Sequence, residues 1–129
     1  MRQEQAIARA RTVTGTIESV PAQSYSVRRL DRANEFYYLI VFGEPEATVA
    51  VASVNSITGD VENWARSSGL RSHLSIGATD AKRLSRMSDD ATVELVWKPC
   101  VESRSPLYPL WEVRTPDGTR FVDQQGNVL

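Results

Sequence analysis

Few residues in the chain are suited to nucleophilic or acid–base chemistry. There is one histidine, His73, and one cysteine, Cys100. Nucleophilic catalysis needs a base within hydrogen-bond reach of the nucleophile and a third group to orient that base. His73 falls in a polar stretch and reads as a solvated loop residue, while only Lys98 and Arg104 stand near Cys100 in sequence. Zinc sites draw on several His, Cys or carboxylate ligands, which one His and one Cys do not supply. Asp89 and Asp90 lack the alternating acidic loop of a calcium site. Gly43, Gly59, Gly69, Gly77 and Gly118 are isolated and read as turn residues, so no glycine-rich loop opens a helix to cradle phosphate. Glu94 and Glu112 fall in strands that could be neighbours, but strand carboxylates are usually solvent-facing or paired, here with Arg114 and Arg120. The expectation is no catalytic residue, no metal, no cofactor and no enzymatic activity.

Residues suited to binding are better represented. Between Trp97 and Trp111 the chain carries Lys98, Cys100, Arg104 and Tyr108 together with Pro99, Pro106 and Pro109. This loop is longer than a tight hairpin requires, and long loops on a rigid scaffold often carry function. Aromatic and Arg side chains are common interface anchors, so Trp97, Lys98, Cys100, Arg104, Tyr108 and Trp111 form the candidate interaction surface. The plainer alternative is that Trp97 and Trp111 are core aromatics on adjacent strands and that the prolines protect an edge. The charged stretch 28–34 reads as a solvated hairpin turn.

Bulk properties narrow the partners. The net charge is −1, from 15 basic and 16 acidic residues, which lacks the electrostatic signature of a protein that neutralises several phosphates. Nucleic acid is not expected. A lone cysteine excludes an internal disulfide. The first residues, MRQEQAIARARTVTG, contain no apolar signal core, and no stretch approaches the roughly 18 apolar residues of a membrane span. A soluble, cytoplasmic protein with no membrane partner is the expectation. With 41% hydrophobic and 24% charged residues, 129 residues suffice for an ordinary globular core.

The elements that must position these residues follow from periodicity. Ala6, Ile7, Ala10 and Val13 lay a narrow apolar stripe along a helix over residues 3–14, ended by Gly15. Three β-like runs follow. Residues 16–27 contain Pro21, which argues for an edge strand or a bulge. Residues 36–42, FYYLIVF, are apolar on both alternating sets, as in a central strand covered on both faces. Residues 48–54 form the third run, closed by the turn at 55–59. Residues 65–77 read as a connector rich in Ser, Gly and Arg. Thr79 and Asp80 then open a second short helix carrying Ala81, Leu84 and Met87, followed by strands over 92–97, 107–114 and 119–123. Helix and three strands thus occur twice. Tyr38-Leu39-Ile40-Val41 aligns with Leu110-Trp111-Glu112-Val113, and Thr58-Gly59-Asp60-Val61 with Gln125-Gly126-Asn127-Val128.

The first half resembles the PepSY domain in its helix Glu4-Gln5-Ala6-Ile7-Ala8-Arg9-Ala10, a strand with Tyr37, Tyr38 and Val41, and the closing segment Val54-Asn55-Ser56-Ile57-Thr58-Gly59-Asp60-Val61. Asn55 stands where an aspartate is common in that family. The second half is similar to a degenerate copy, keeping Asp80-Ala81-Lys82-Arg83-Leu84 and Val122-Asp123-Gln124-Gln125-Gly126-Asn127-Val128. The resemblance implies an α+β fold of two αβββ units, each a helix packed on an antiparallel sheet in a cystatin-like manner: residues 1–64, a connector 65–77, and residues 78–129. It also implies a non-catalytic role, often regulating peptidases. The functional expectation is therefore a non-enzymatic protein- or peptide-binding module, acting through the 98–109 loop or by strand addition at a sheet edge. Two alternatives are a ligand-binding or enzymatic domain with a pocket near Trp97, Trp111 and Glu112, and a structural homodimer unit.

Overall fold

The computed structural model describes residues 2–129. Across them the chain forms two helices, α1 (Gln3–Thr14) and α2 (Ala78–Ser85), and one seven-stranded sheet. The strands are β1 (Ala22–Arg29), β2 (Phe36–Glu44), β3 (Ala47–Asn55), β4 (Val61–Arg66), β5 (Thr92–Trp97), β6 (Leu110–Thr115) and β7 (Gly118–Val122). Their spatial order is β4-β3-β2-β1-β5-β6-β7, and every pairing is antiparallel except β1 with β5. The α+β class is as expected.

β2 divides the core. Successive side chains of a strand point to opposite faces, so Tyr38, Ile40 and Phe42 pack with Ala6 and Ala10 of α1, while Tyr37, Leu39 and Val41 face the other way with Val27, Leu95 and Trp97. Val93 alternates onto the same side as Leu95, and it is there that Ala81 of α2 packs with Val113 and Val122. The two helices therefore lie on opposite faces of one sheet. Behind β2 and β3 no helix among the described residues covers the second face. Leu74 from the connector and Leu107 from the long loop fill that place, which is why FYYLIVF is apolar on both sets.

The sequence expectations differ from the structure in several places. The strand expected over 107–114 begins only at Leu110, because Leu107 leaves the strand line to plug the core from the loop. The first strand begins at Ala22, not near residue 16, because the Arg11 guanidinium gathers the carbonyls of Ile17 (2.6 Å) and Val20 (2.9 Å) and folds 16–21 into a turn. β1 is central and not an edge strand; Pro21 lies just before it and accepts a bond from Gly43 N–H at 2.9 Å. The strand β4 was unexpected, and it takes Ala65 and Arg66 from the start of the supposed connector. On α1 the buried row is Ala6, Ala10 and Thr14, with Val13 43% exposed; the Thr14 hydroxyl donates to Ala10 O at 2.8 Å, which lets a polar residue enter the core.

Two turns share one construction. Asn55 Oδ1 accepts from the N–H groups of Ile57 (2.8 Å) and Thr58 (3.0 Å), and Asp123 Oδ1 accepts from those of Gln125 (2.9 Å) and Asn127 (2.8 Å). Each is a side chain mimicking a backbone turn. Gly59 (φ 77°) and Gly126 (φ 87°) then take the left-handed conformation that glycine adopts without a Cβ penalty. After the first turn Val61 pairs back with Val54; after the second Val128 pairs back with Val122.

Candidate interaction surface

The loop after β5 is held by its own side chains. Trp97 is 4% exposed and donates its indole N–H to Ser103 Oγ at 3.1 Å; the Ser103 hydroxyl in turn bonds the Tyr108 carbonyl. Cys100 and Ser103 exchange both backbone bonds at 3.2 Å, closing a small hairpin. Leu107 enters the core, and Tyr37 donates to Pro106 O at 2.6 Å. Much of this loop is therefore a plug for the helix-free face. From the other side Arg29, bidentate on Asp31 at 3.1 and 3.0 Å, lies 4.9 Å over the Trp97 ring. That guanidinium holds the Asp31 carboxyl below the usual carboxylate range. Residues 31–34 form the exposed turn expected, whereas Arg29 at its base is drawn against Trp97 and is largely buried.

The six expected surface residues separate. Trp97 is core, and Trp111 is half-buried with its indole N–H on Ile76 O at 2.7 Å. Cys100 Sγ reaches Ser103 O at 3.8 Å within the loop. Lys98 Nζ lies 5.3 Å from the ring centroid of Phe121. Arg104 and Tyr108 come together along one hollow, with Tyr108 50% exposed.

His73 is half-buried, in contrast to the solvated residue expected. Its backbone N–H donates to Thr48 Oγ1 at 2.9 Å, its Nε2 bonds the Leu107 carbonyl, and its ring lies 5.0 Å from that of Tyr108. The carbonyl partner requires the proton on Nε2. Burial pushes its pKa below the ordinary histidine value, with the Leu107 bond opposing. His73 and Cys100 thus bond to different groups. Glu94 and Glu112 are direct cross-strand partners, held by Arg28 (2.8 and 3.1 Å) and Arg114 (3.8 and 3.3 Å). Arg120 instead donates to Ser85 O at 2.7 Å.

The two sheet edges differ. Along the outer side of β7, Leu129 N–H donates to Phe121 O at 2.9 Å, and Asp123 N–H to Asn127 O at 3.0 Å. Among the described residues, β4 pairs only with β3. Ser67 N–H bonds Val49 O at 3.0 Å, and antiparallel bonded pairs alternate. In the register Ala50↔Arg66, Val51↔Ala65, Ala52↔Trp64 and Ser53↔Asn63, that alternation turns the backbone N–H and C=O of Trp64 and Arg66 outward. The Trp64 side chain is 48% exposed and shares the α1 face with Ala52. The sequence reading missed it because VENWAR is short and carries no β-branched run; a Trp preceded by Glu62 and Asn63 after a turn was the available signal.

Compared with known proteins, the chain matches no family model, no curated protein and no solved structure.

Proposed function

We propose that the chain is a non-enzymatic protein- or peptide-binding module that takes up an extended segment of its partner as an added strand along β4. The open β4 edge carries this reading. Unpaired strand edges template further pairing, and proteins usually blunt them. Residues 127–129 cover part of the outer side of β7, whereas β4 presents Trp64 and outward backbone groups. Main-chain bonds supply affinity in strand addition, and an exposed aromatic selects the side chain opposite or diagonal to it.

The same proposal reads the chain as two PepSY-like, helix-led units. Three observations support it: the matching turns at Asn55 and Asp123, the pairing of residues 127–129 in the place β4 holds after the first turn, and a helix ahead of β1 and of β5. Regulation of a peptidase is the role the family resemblance brings.

Trp64→Pro tests the edge. Proline at this position removes an outward N–H and the exposed ring but no bond to β3. Partners captured from the source cell by the parent chain are expected to be lost by the variant. An unchanged partner set would exclude strand addition at β4. A second copy seated on the same edge would show in sedimentation as a concentration-dependent dimer that Trp64→Pro abolishes.

A further inference from the structure

Two hollows of about 410 and 380 Å³ adjoin on the side of the molecule where the connector meets the long loop, sharing Tyr108 and Gln125. Sites of roughly 300–1,000 Å³ are usual for small ligands. Among the described residues, no acidic one lines the larger hollow. Its serine hydroxyls divide sharply: Ser67, Ser72 and Ser75 donate to the carbonyls of Thr48, Pro45 and Gln124, so they offer a ligand lone pairs only. The donors left over are the Arg71 guanidinium, the Ser68 and Thr48 hydroxyls, the Tyr108 phenol and the Gln125 amide. Arg71 forms no ion pair with any described residue.

One unpaired guanidinium with neutral donors beside it is a set that accepts an oxyanion, since the planar fork matches two oxygens at once. The tilted His73 and Tyr108 rings supply a flat wall, with Tyr108 half-exposed. In the smaller hollow Arg104 is accompanied by Glu102 and Asp123. The Asp123 oxygens already accept from Gln125, Asn127 N–H and Asn127 Nδ2. Glu102 offsets Arg104, so the favourable end for an anion is the Arg71 end.

We infer that this trough binds a small organic anion, a carboxylate or phosphate carried on a flat apolar group, with Arg71 receiving the oxyanion and Tyr108 stacking on the ring. The site adjoins the end of β4 at Ser67 and Ser68 and does not include Trp64.

The test is an amide-resolved NMR titration of the full chain with benzoate and phenyl phosphate, using acetate and benzyl alcohol to separate charge from ring. Both aromatic anions are expected to give saturable shifts at 68–75, 104–108 and 124–126, with dissociation constants of roughly 1 mM for so few atoms on an open site. Arg71→Gln and Tyr108→Ala should each weaken them by about five-fold or more, and Arg104→Gln by less than about two-fold. The tighter of the two probes assigns carboxylate or phosphate. Unperturbed β2 and β3 amides show that each variant is folded. Non-saturating shifts, binding unchanged in Arg71→Gln, or benzyl alcohol binding as tightly as benzoate would overturn the inference.

Discussion

Glu94 and Glu112 stand directly opposite each other on β5 and β6, two like charges in cross-strand contact. Such a pair is destabilising unless cations bridge it. Arg28, one strand over on β1, donates to both at 2.8 and 3.1 Å and so ties the two halves of the sheet together where β1 and β5 run parallel. The Glu112 side chain is only 8% exposed, while that of Arg28 is 42% exposed, which places the cluster between a surface and a buried pair.

Arg28→Ala is therefore expected to lower stability by about 1–2 kcal/mol, and Arg114→Ala, whose contacts are longer, by less. Glu94→Gln added to Arg28→Ala should recover part of the loss by removing the repulsion. Urea unfolding of the four proteins measures this. A loss under about 0.5 kcal/mol for Arg28→Ala would show that the cluster does not hold the halves together.

Periodicity made the core elements legible in advance: FYYLIVF announced a strand buried on both sides, and the small residues at 6 and 10 announced a helix lying close to a sheet. What covers the second face was not legible, because the covering groups, Leu74 and Leu107, are single apolar residues in polar or proline-rich stretches with no period. The β4 edge escaped for a related reason: VENWAR alternates weakly, and its strand character comes from pairing with β3. In the candidate surface, Trp97 and Trp111 followed the plainer reading of core aromatics, since alternation alone puts both inward. His73 and Arg29 were misjudged because their partners, Leu107, Trp97 and Tyr37, are distant in sequence and pattern reading treats charged residues as solvated.

The loop plug depends on one hydroxyl. Ser103→Ala leaves the Trp97 indole N–H without an acceptor in a core site, and an unsatisfied buried donor costs about 1–3 kcal/mol. Tyr37→Phe removes the bond to Pro106 O, for which about 1 kcal/mol is expected. Denaturation should rank Ser103→Ala below Tyr37→Phe, with the Trp97 indole resonance moving in the former. An unmoved resonance and unchanged stability would mean the loop is not anchored through Ser103.

Burial depresses the His73 pKa in the folded chain, so the unfolded chain binds the proton first as pH falls. Stability from this group is fully present above the unfolded value near 6.5 and is lost as pH drops from there through the folded value. Asp31, whose carboxyl is also depressed, acts only at more acid pH, below about 4. Thermal melts from pH 7.5 to 5 should therefore show a falling midpoint that is flattened in His73→Asn, which removes the titrating group. Identical slopes in the two proteins would place the proton linkage elsewhere.

The turn at Asp123 guards the β7 edge. Its Oδ1 organises two amides and its own N–H holds Asn127, which brings Val128 and Leu129 alongside β7. Asp123 is 5% exposed, so Asp123→Ala strands two amides in a sheltered place, whereas the equivalent Asn55→Ala acts on more exposed amides. About 1–2 kcal/mol is expected for Asp123→Ala and less for Asn55→Ala. With residues 127–129 released, the Phe121 carbonyl and the Asp123 N–H lose their partners, and a second open edge should promote association. Hydrogen exchange at Leu129 and Asn127 should quicken, and light scattering should rise with concentration in Asp123→Ala alone. Retained protection of both amides would show that the tail is held without the turn, and that β7 is guarded by the pairing of Val128 with Val122 instead.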